Sequence, residues 1–298
     1  MPPKRSAESA SKDTVANAKR FRSAIDESCD ELMCPITYQL PLDPVTAEDG
    51  KIYERTAIED WLKQHQRSPV TNLAMGSKLM PATQIKNMIE RMVKSGALPE
   101  DKTAEWKKRI EEEEELNELR AQAEAGDADA AYTLGCRYEC GKKGVHVDKE
   151  KAFKYFKQAA EAGSAKGMAS LSVCYRDGKG VARNDALALR WAAGAHHLGS
   201  AHGSLLLGLL YFDGAAGLPV DKKEGFELFK VGCDKGAATS AGLFTLATWY
   251  EKGEGTRVDL EQAAHWMRKA VKQNDKAKTV QKARDWLIAR GLPIEEDA

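Results

Sequence analysis

The chain has 298 residues, in which 45 lysines and arginines balance 45 aspartates and glutamates. This neutral charge argues against a nucleic-acid-binding protein, because such proteins carry a strongly basic surface, and the length predicts two domains. The six cysteines form no disulfide framework, and the apolar stretches are too short for a membrane span or a secretory signal. We therefore expect a protein of a reducing compartment, whose partners include neither nucleic acid nor membrane.

Residues 1–25 are rich in serine, alanine, lysine and arginine and contain few residues that could build a core. This composition predicts a disordered, mildly basic tail. Lys4-Arg5 and Lys19-Arg20 could form the two halves of a nuclear import signal, although short basic clusters also occur in ordinary solvated tails. The expected location is cytoplasmic, or nuclear if the signal is used.

Residues 26–98 have the local signals of a small α+β domain. Asp49-Gly50 lies between two β-prone segments and predicts a tight hairpin, since this pair adopts the positive φ angles of such turns. Thr56 and Glu59 have the spacing of a capping box, which predicts the start of a helix. Apolar residues at helical spacing then follow in that helix (Ile58, Trp61 and Leu62) and in a second helix after Pro81 (Ile85, Met88, Ile89 and Met92).

The same segment cannot hold a structural zinc ion. Such a site needs four cysteine or histidine ligands at short spacings. Residues 30–98 contain one cysteine, Cys34, and one histidine, His65. We therefore predict a domain that folds without metal.

In order and spacing, residues of this segment resemble the U-box family of ubiquitin ligases, whose fold is that of a RING domain without zinc. The matching residues are Leu32 to Ile36, Asp43-Pro44-Val45, Gly50, Tyr53, Arg55, Ile58, Trp61-Leu62, Ser68 to Thr71 and Pro81. In that family, hydrogen bonds and salt bridges replace the zinc ions. The resemblance implies this role for Asp43, Glu48, Arg55 and Glu59, with the pairing left open.

The resemblance also implies a ubiquitin ligase of the non-covalent type. Such a ligase docks a ubiquitin-conjugating enzyme charged with ubiquitin and orients the thioester for attack by a lysine of the substrate, so the rate gain comes from orientation. No catalytic residue, cofactor or metal is expected in this chain, and Cys34 is expected to be a packing residue. The docking groove of the family maps onto Ile36, Tyr38, Trp61, Pro69 and Asn72, although core packing would explain Trp61 equally well.

Asn72 departs from the pattern of the family. Active members often carry an arginine at this position, which contacts both the enzyme and ubiquitin. An amide lacks the charge-assisted donors of a guanidinium, so we expect slower ubiquitin transfer. The alternative is a non-enzymatic scaffold or adaptor whose U-box binds without promoting transfer.

Residues 99–125 form a charged segment in which basic residues precede a run of glutamates, Glu111 to Glu115, at helical spacing. We predict a linker helix. Its glutamates would form either an acidic docking surface or, as we favour, the surface of a solvated spacer.

Residues 126–275 contain an internal repeat. The tyrosines at 138, 175, 211 and 250, called here the marker tyrosines, each precede a glycine by three residues and follow a leucine by four. The pattern of each unit predicts two helices. The glycine ends the first helix, and an Asp or Asn caps the second. The capping residues are Asp148, Asn184, Asp221 and Asp259.

These units resemble SEL-one-like repeats, relatives of the tetratricopeptide repeat. The resemblance implies an all-α solenoid of stacked helix pairs with a concave surface for a protein substrate or adaptor. Residues 276–291, with an apolar stripe at Val280, Ala283 and Leu287, are predicted to form a capping helix. Gly225 and Leu228 depart from the pattern, which predicts a looser third repeat.

Leu206, Leu210 and Trp249 replace more polar residues of the earlier repeats. They are predicted to line an apolar peptide groove, and packing between helices is the alternative. His196, His197 and His202 have no cysteine or carboxylate nearby in sequence, so we expect surface histidines and no metal site.

Overall fold

A computed structural model describes residues 29–217 and 219–294 of the protein. The chain divides into two compact units, with the boundary between Glu114 and Glu115. The predicted basic tail and its import signal lie outside the described residues. Within the described ranges, no helix combines the length and the apolar character needed to cross a membrane.

The first unit contains a small antiparallel sheet with the strand order β2-β1-β3. Its strands are β1 (Pro44–Thr46), β2 (Ile52–Glu54) and β3 (Met80–Pro81). Val45 of the central strand lies opposite Tyr53 on one side and Pro81 on the other. The predicted hairpin at Asp49-Gly50 is confirmed, since Gly50 has a φ of 75° and donates its amide to the carbonyl of Ala47 at 3.0 Å.

Helices α1 (Arg55–His65) and α2 (Thr83–Lys94) pack with the sheet and loops of this unit. Two clusters of buried side chains form its core. One cluster joins the hairpin to α1 through Val45, Tyr53 and Ile58. The other joins residues 29–40 to α2 through Leu32, Leu40 and Ile89.

The predicted capping box at Thr56 is wrong. Helix α1 begins at Arg55, and its N-cap residue Glu54 makes no side-chain cap hydrogen bond. The carboxylate of Glu54 instead accepts hydrogen bonds from the amides of Leu42 at 2.8 Å and Asp43 at 3.2 Å. A bond to the preceding loop therefore takes the place of the local cap.

Helix α3 (Glu100–Glu124) forms most of the predicted linker. Some of its apolar side chains are buried in the cores of the two units. In the first unit, Trp106 is buried with Leu40 and Ile89 in the second of the two clusters. In the second unit, Leu116 and Ala123 are buried against the first repeat. The helix is therefore more than a solvated spacer, because it completes a core in each unit.

The second unit consists of consecutive helix pairs. The first helices of the pairs are α4 (Ala128–Cys140), α6 (Ala165–Asp177), α8 (Ala201–Asp213) and α10 (Ser240–Lys252). The second helices are α5 (Lys149–Glu161), α7 (Asp185–His197), α9 (Lys222–Asp234) and α11 (Leu260–Gln273), and α12 (Ala277–Ala289) follows them. A short 3₁₀ turn (Ala215–Gly217) follows α8.

The predicted helix ends of the repeats are confirmed. The side chains of Asp148, Asn184, Asp221 and Asp259 each accept an amide hydrogen bond from the first turn of the helix they precede. The glycines after the marker tyrosines have the left-handed conformation that ends the first helices. On α12, Val280, Ala283 and Leu287 are buried, as the apolar stripe predicted.

The prediction of a looser third repeat is wrong. A Cβ added at Gly225 of α9 would lie 2.7 Å from the backbone nitrogen of Phe212 on α8. A Cβ at Gly208 would lie 2.6 Å from the backbone nitrogen of Phe229. Both distances are shorter than real contacts allow, so the glycines bring the backbones of α8 and α9 into direct contact.

Candidate functional site

The loop before the hairpin, residues 34–39, is a tight turn with an exposed tip. Cys34 is fully buried, its amide donates to the carbonyl of Gln39 at 2.9 Å, and its carbonyl accepts the amide of Tyr38 at 2.8 Å. Tyr38 has a φ of 55° and is 76% exposed. Ile36 is half-buried against the same core cluster as Trp61 of α1. The turn therefore fixes one apolar side chain at the rim of the core and directs another into solvent.

The second loop, residues 66–75, is attached to α1. The indole nitrogen of Trp61 donates to the carbonyl of Arg67 at 2.8 Å, and its ring stacks on His65 at 4.1 Å. Arg67 also forms an isolated antiparallel bridge with Ala74, which closes the base of the loop. Trp61 is therefore a half-buried support of this loop.

A buried hydroxyl joins the second loop to the hairpin. The hydroxyl of Ser68 donates to Oδ2 of Asp49 at 2.6 Å and accepts the amide of Thr71 at 2.9 Å. The hydroxyl of Tyr53 donates to the same Oδ2 atom at 2.7 Å. Burial opposes ionisation of Asp49, but the hydrogen bonds from Ser68 and Tyr53 outweigh it and lower the pKa of the carboxyl group. The ionised Asp49 thus joins the second loop to the hairpin.

A second brace lies at Glu54, which is 6% exposed. Besides the two loop amides, its Oε2 accepts Nη2 of Arg109 from α3 at 2.7 Å. Nη1 of Arg109 donates to the carbonyl of Leu40 at 3.0 Å. The carboxylate and the guanidinium therefore hold the segment 40–43 from two sides.

Three of the four predicted brace residues take part in such contacts. Asp43 pairs with Arg55 at 2.6 Å, and Glu48 accepts the amide of Gly76 at 2.8 Å. The fourth, Glu59, borders a shallow cleft on α1 with Lys63. The sequence did not identify Asp49, Ser68 or the pair of Glu54 with Arg109. Asp49 was assigned to the hairpin turn alone, and no local pattern marks the others.

Asn72 lies on the exposed part of the second loop, with a φ of 60°. Its amide donates to the carbonyl of Ser68 at 3.0 Å. Its side-chain oxygen accepts a long hydrogen bond from Nη1 of Arg67 at 3.4 Å. A guanidinium group therefore lies beside the position where the family often carries arginine.

The predicted docking residues lie on the elements just described. Ile36 and Trp61 pack against one cluster, Tyr38 is at the tip of the first loop, and Pro69 and Asn72 are on the second loop. Exposed apolar side chains of the second loop, which the sequence analysis did not select, are Val70 and Leu73, with exposed fractions of 47% and 70%.

The three predicted groove residues of the repeats lie in different surroundings. Leu206 lines an open groove on the first helices, but it is only 9% exposed and belongs to the same buried cluster as Leu210. Leu210 is 3% exposed, within the cluster of the second and third repeats. Trp249 is 5% exposed and stacks on Phe212 at 3.9 Å. Leu210 and Trp249 therefore correspond to the alternative interpretation, which is packing between helices.

The three histidines lie around the junction of the second and third repeats, His196 and His197 at the end of α7 and His202 at the start of α8. Nδ1 of His196 lies 2.9 Å from the hydroxyl of Ser204. In the described part of the chain, cysteine, histidine and acidic side chains form no group of three suited to a metal ion.

Comparison with protein families assigns both units. The U-box domain matches residues 28–96, and the Sel1 repeat matches residues 128–164, 165–193, 201–236 and 240–275. The chain carries a U-box followed by four Sel1 repeats. The predicted α+β domain and the predicted all-α solenoid are thereby confirmed.

The relatives of the U-box are much longer proteins. The human "WD repeat, SAM and U-box domain-containing protein 1" is 43% identical over 68 residues, which cover 22% of this chain and 14% of that protein. The "Putative E3 ubiquitin-protein ligase LIN-1" of Lotus japonicus is 36% identical over 66 residues, which cover 22% of this chain and 4% of that protein. The matches span at most about a seventh of the length of these two relatives.

The Sel1 repeats resemble a solved bacterial structure. It is that of c5321, a protective antigen of uropathogenic Escherichia coli strains that displays an SLR fold. The TM-score is 0.50 at 30% identity, and the match covers 59% of this chain and 37% of that chain. This likeness agrees with the solenoid of helix pairs.

Proposed function

We propose that this protein is a ubiquitin ligase. Its U-box docks a ubiquitin-conjugating enzyme charged with ubiquitin, and its Sel1 repeats hold the protein that receives the ubiquitin. The observation that carries the proposal is the U-box surface, where the tight turn of the first loop and a second loop bonded to Trp61 and to the hairpin present exposed apolar side chains. The name of a U-box relative as a putative ubiquitin ligase supports the same chemistry.

The surface has the character of a transient docking site. Tyr38 and Leu73 expose 76% and 70% of their surfaces to water, and the half-buried Ile36 packs against the same core cluster as Trp61. Exposed apolar groups of this size contribute little to folding, but a few of them supply most of the energy of a small interface. We assign the contact with the enzyme to Ile36, Tyr38, Pro69 and Trp61.

The proposed mechanism is orientation of the thioester. Cys34 is fully buried, so its thiol cannot accept ubiquitin from the enzyme. Holding the charged enzyme in one pose instead raises the effective concentration of the thioester at the substrate lysine. The chain then needs no nucleophile of its own, and ubiquitin passes directly from the enzyme to the lysine.

Arg67 is suited to supply the positive charge that Asn72 lacks. Its guanidinium is exposed, and Nη1 lies 3.4 Å from the side-chain oxygen of Asn72. A guanidinium with free N–H groups can donate charge-assisted hydrogen bonds to ubiquitin or the enzyme. We propose that Asn72 positions Arg67 for this contact and that Arg67 replaces the arginine of the family only in part, so that an arginine at position 72 would still add donors.

The second candidate function is a scaffold whose U-box binds the enzyme without promoting transfer. Asn72 favours it, because the amide at this position offers fewer and weaker donors than arginine. The two functions differ in one measurable property, the rate at which the bound enzyme discharges ubiquitin.

Reconstituted ubiquitination with the full chain tests the proposal. The reaction would contain activating enzyme, ATP, ubiquitin and a panel of conjugating enzymes, and discharge to free lysine would be followed in single turnovers. We expect acceleration with at least one enzyme and its loss in Ile36→Ala, since truncation of an apolar anchor costs about 1–3 kcal/mol of a weak interface.

Met88→Ala is the matched control, because Met88 is an apolar residue of the same unit, 37% exposed on α2 and outside the assigned surface. It should leave the discharge rate unchanged. Full activity of Ile36→Ala would refute the assigned surface, and binding without discharge for every enzyme would establish the scaffold.

A further inference from the structure

An open groove crosses the first helices of the Sel1 repeats. Its volume is about 580 Å³, and its walls come from α4, α6, α8 and α10. In the second and third repeats, most wall residues occupy equivalent positions, nine, six, five and two residues before the marker tyrosine, which is one face of a helix. The first repeat contributes Tyr132 alone. In the third repeat these positions hold His202, Leu205, Leu206 and Leu209.

The third repeat makes the centre of the groove apolar and deep. Leu205 and Leu209 are half-buried, and Phe229 of α9 also lines the groove. Helix α9 packs more closely against α8 than against α10. The backbone contact at Gly208 and Gly225 explains this asymmetry, and the space left beside α10 belongs to the groove.

The charged groups of the walls are basic. They are Lys166 and Arg176, and no aspartate or glutamate lines the groove among the described residues. Arg176 is paired with Asp177 at 2.7 Å. Lys166 is exposed and takes part in none of the ion pairs found among the described residues, although Asp129 borders a separate depression with it. Its ammonium lies over the ring of Tyr132, 6.0 Å from the ring centre, and Tyr132 also lines the groove. An ammonium group without a carboxylate partner among the described residues thus flanks an apolar groove.

We propose that this groove binds a peptide segment that carries large apolar side chains next to an acidic residue. The apolar side chains would occupy the space between Leu205, Leu209 and Phe229, and the carboxylate would pair with Lys166. A site of this volume accommodates a few large side chains. A long groove with one basic rim also favours a chain that extends over several repeats. The inference rests on the proposed function in one respect, that the repeats recruit the substrate.

The groove corrects the expected location of the peptide site. Of the three residues predicted from the sequence, only Leu206 lies in it. The wall is formed by the face that contains Leu205 and Leu209, whereas Leu210 points into the packing of the second and third repeats.

Selection of a phage-displayed library of random dodecapeptides on the full chain tests the proposal. We expect enriched peptides to combine two or more large apolar residues with an aspartate or glutamate. Their affinity is then measured by fluorescence anisotropy. Lys166→Glu should weaken binding about tenfold, because an attraction becomes a repulsion of similar size. Thr245→Glu, which places a carboxylate in the wall from α10, should weaken it at least as much.

Each variant has a matched control. Lys154→Glu changes the same charge at an exposed site on α5 outside the groove. Thr133 occupies in the first repeat the helix position that Thr245 occupies in the fourth, and both hydroxyls donate to the carbonyl four residues earlier. Lys154→Glu and Thr133→Glu should keep the affinity within about twofold of the wild type.

Several outcomes would overturn the proposal. They are a basic or purely polar consensus among the selected peptides, no enrichment at all, and equal effects of Lys166→Glu and Lys154→Glu on the affinity.

A dimer in light scattering that Thr245→Glu dissociates would assign the groove to a second copy of the chain. Ile36→Ala should lose ubiquitin transfer and keep peptide binding. A wild-type chain that binds the selected peptides but transfers no ubiquitin with any conjugating enzyme refutes the proposed function alone. Transfer without peptide binding refutes the groove alone.

Discussion

Replacing Arg109 by leucine should loosen the U-box at the segment before β1, although Arg109 lies beyond the residues that match the domain. Its side chain is 20% exposed, and that of its partner Glu54 is 8% exposed. Removing one member of a fully buried ion pair costs about 3–5 kcal/mol. Glu54 keeps two amide donors, from Leu42 and Asp43. We therefore expect a local cost of about 2–3 kcal/mol.

Native-state hydrogen exchange of the full chain measures this cost directly. The amides of Leu42 and Asp43 both donate to Glu54, so they report its opening. A cost of 2–3 kcal/mol corresponds to exchange that is about 30- to 160-fold faster. Amides of the Sel1 repeats should be unaffected.

Lys108→Leu is the control for this prediction. Lys108 is 63% exposed and lies 4.0 Å from Glu105, so its loss should change the exchange free energy by less than about 0.5 kcal/mol. If Arg109→Leu and Lys108→Leu had equal effects on the two amides, the bond to Glu54 would contribute nothing to the stability of the loop.

The remaining predictions concern other contacts of the two units. Gly225→Ala should lower the free energy of unfolding of the repeats by about 1–3 kcal/mol in urea titrations, because the added methyl meets backbone atoms of α8. The control is Gly242→Ala, whose methyl meets only side chains, at 3.1 Å or more, so its free energy of unfolding should be nearly unchanged. The stability that Asp49 contributes is present above the unfolded-state pKa of about 4 and is lost as the pH falls through its lower folded pKa. Acid titration of Ser68→Ala should show a smaller loss of U-box stability, and an unchanged titration would contradict the brace. Asn72→Arg should accelerate single-turnover discharge while the affinity for the enzyme changes little, since the added donors act on the loaded complex; no change in rate would show that another residue, such as Arg67, already supplies the contact.

Most features of the repeats could be predicted because their signals are local. A helix end is specified by a few adjacent residues, so Asp148 and Gly141 indicated a cap and a stop before any packing was known. The hairpin at Gly50 was predictable for the same reason. The capping box at Thr56 failed because Glu54 uses its carboxylate for a bond to a distant loop.

The contacts that shape the U-box site could not be predicted, because they join residues far apart in sequence. Arg109 and Glu54 are separated by 55 positions, and Ser68 and Asp49 by 19. No periodicity or spacing marks such pairs. The choice between groove and core at Leu206 and Leu210 failed for a related reason, since both lie on α8 and only the neighbouring helices decide which side remains open.

The third repeat shows how a local sequence signal and a long-range contact combine at one residue. Gly225 was visible in the sequence as a departure from alanine, and on propensity alone a helical glycine weakens a helix. In the fold, the same glycine removes the side chain that would separate α9 from α8. Helix α9 then packs mainly against α8, although the ring of Phe229 still lies 4.8 Å from that of Trp249 on α10. Leu205, Leu209 and Phe229 line the groove between these helices. A glycine that costs helix propensity is thereby required by the packing of the repeat that lines the centre of the proposed site.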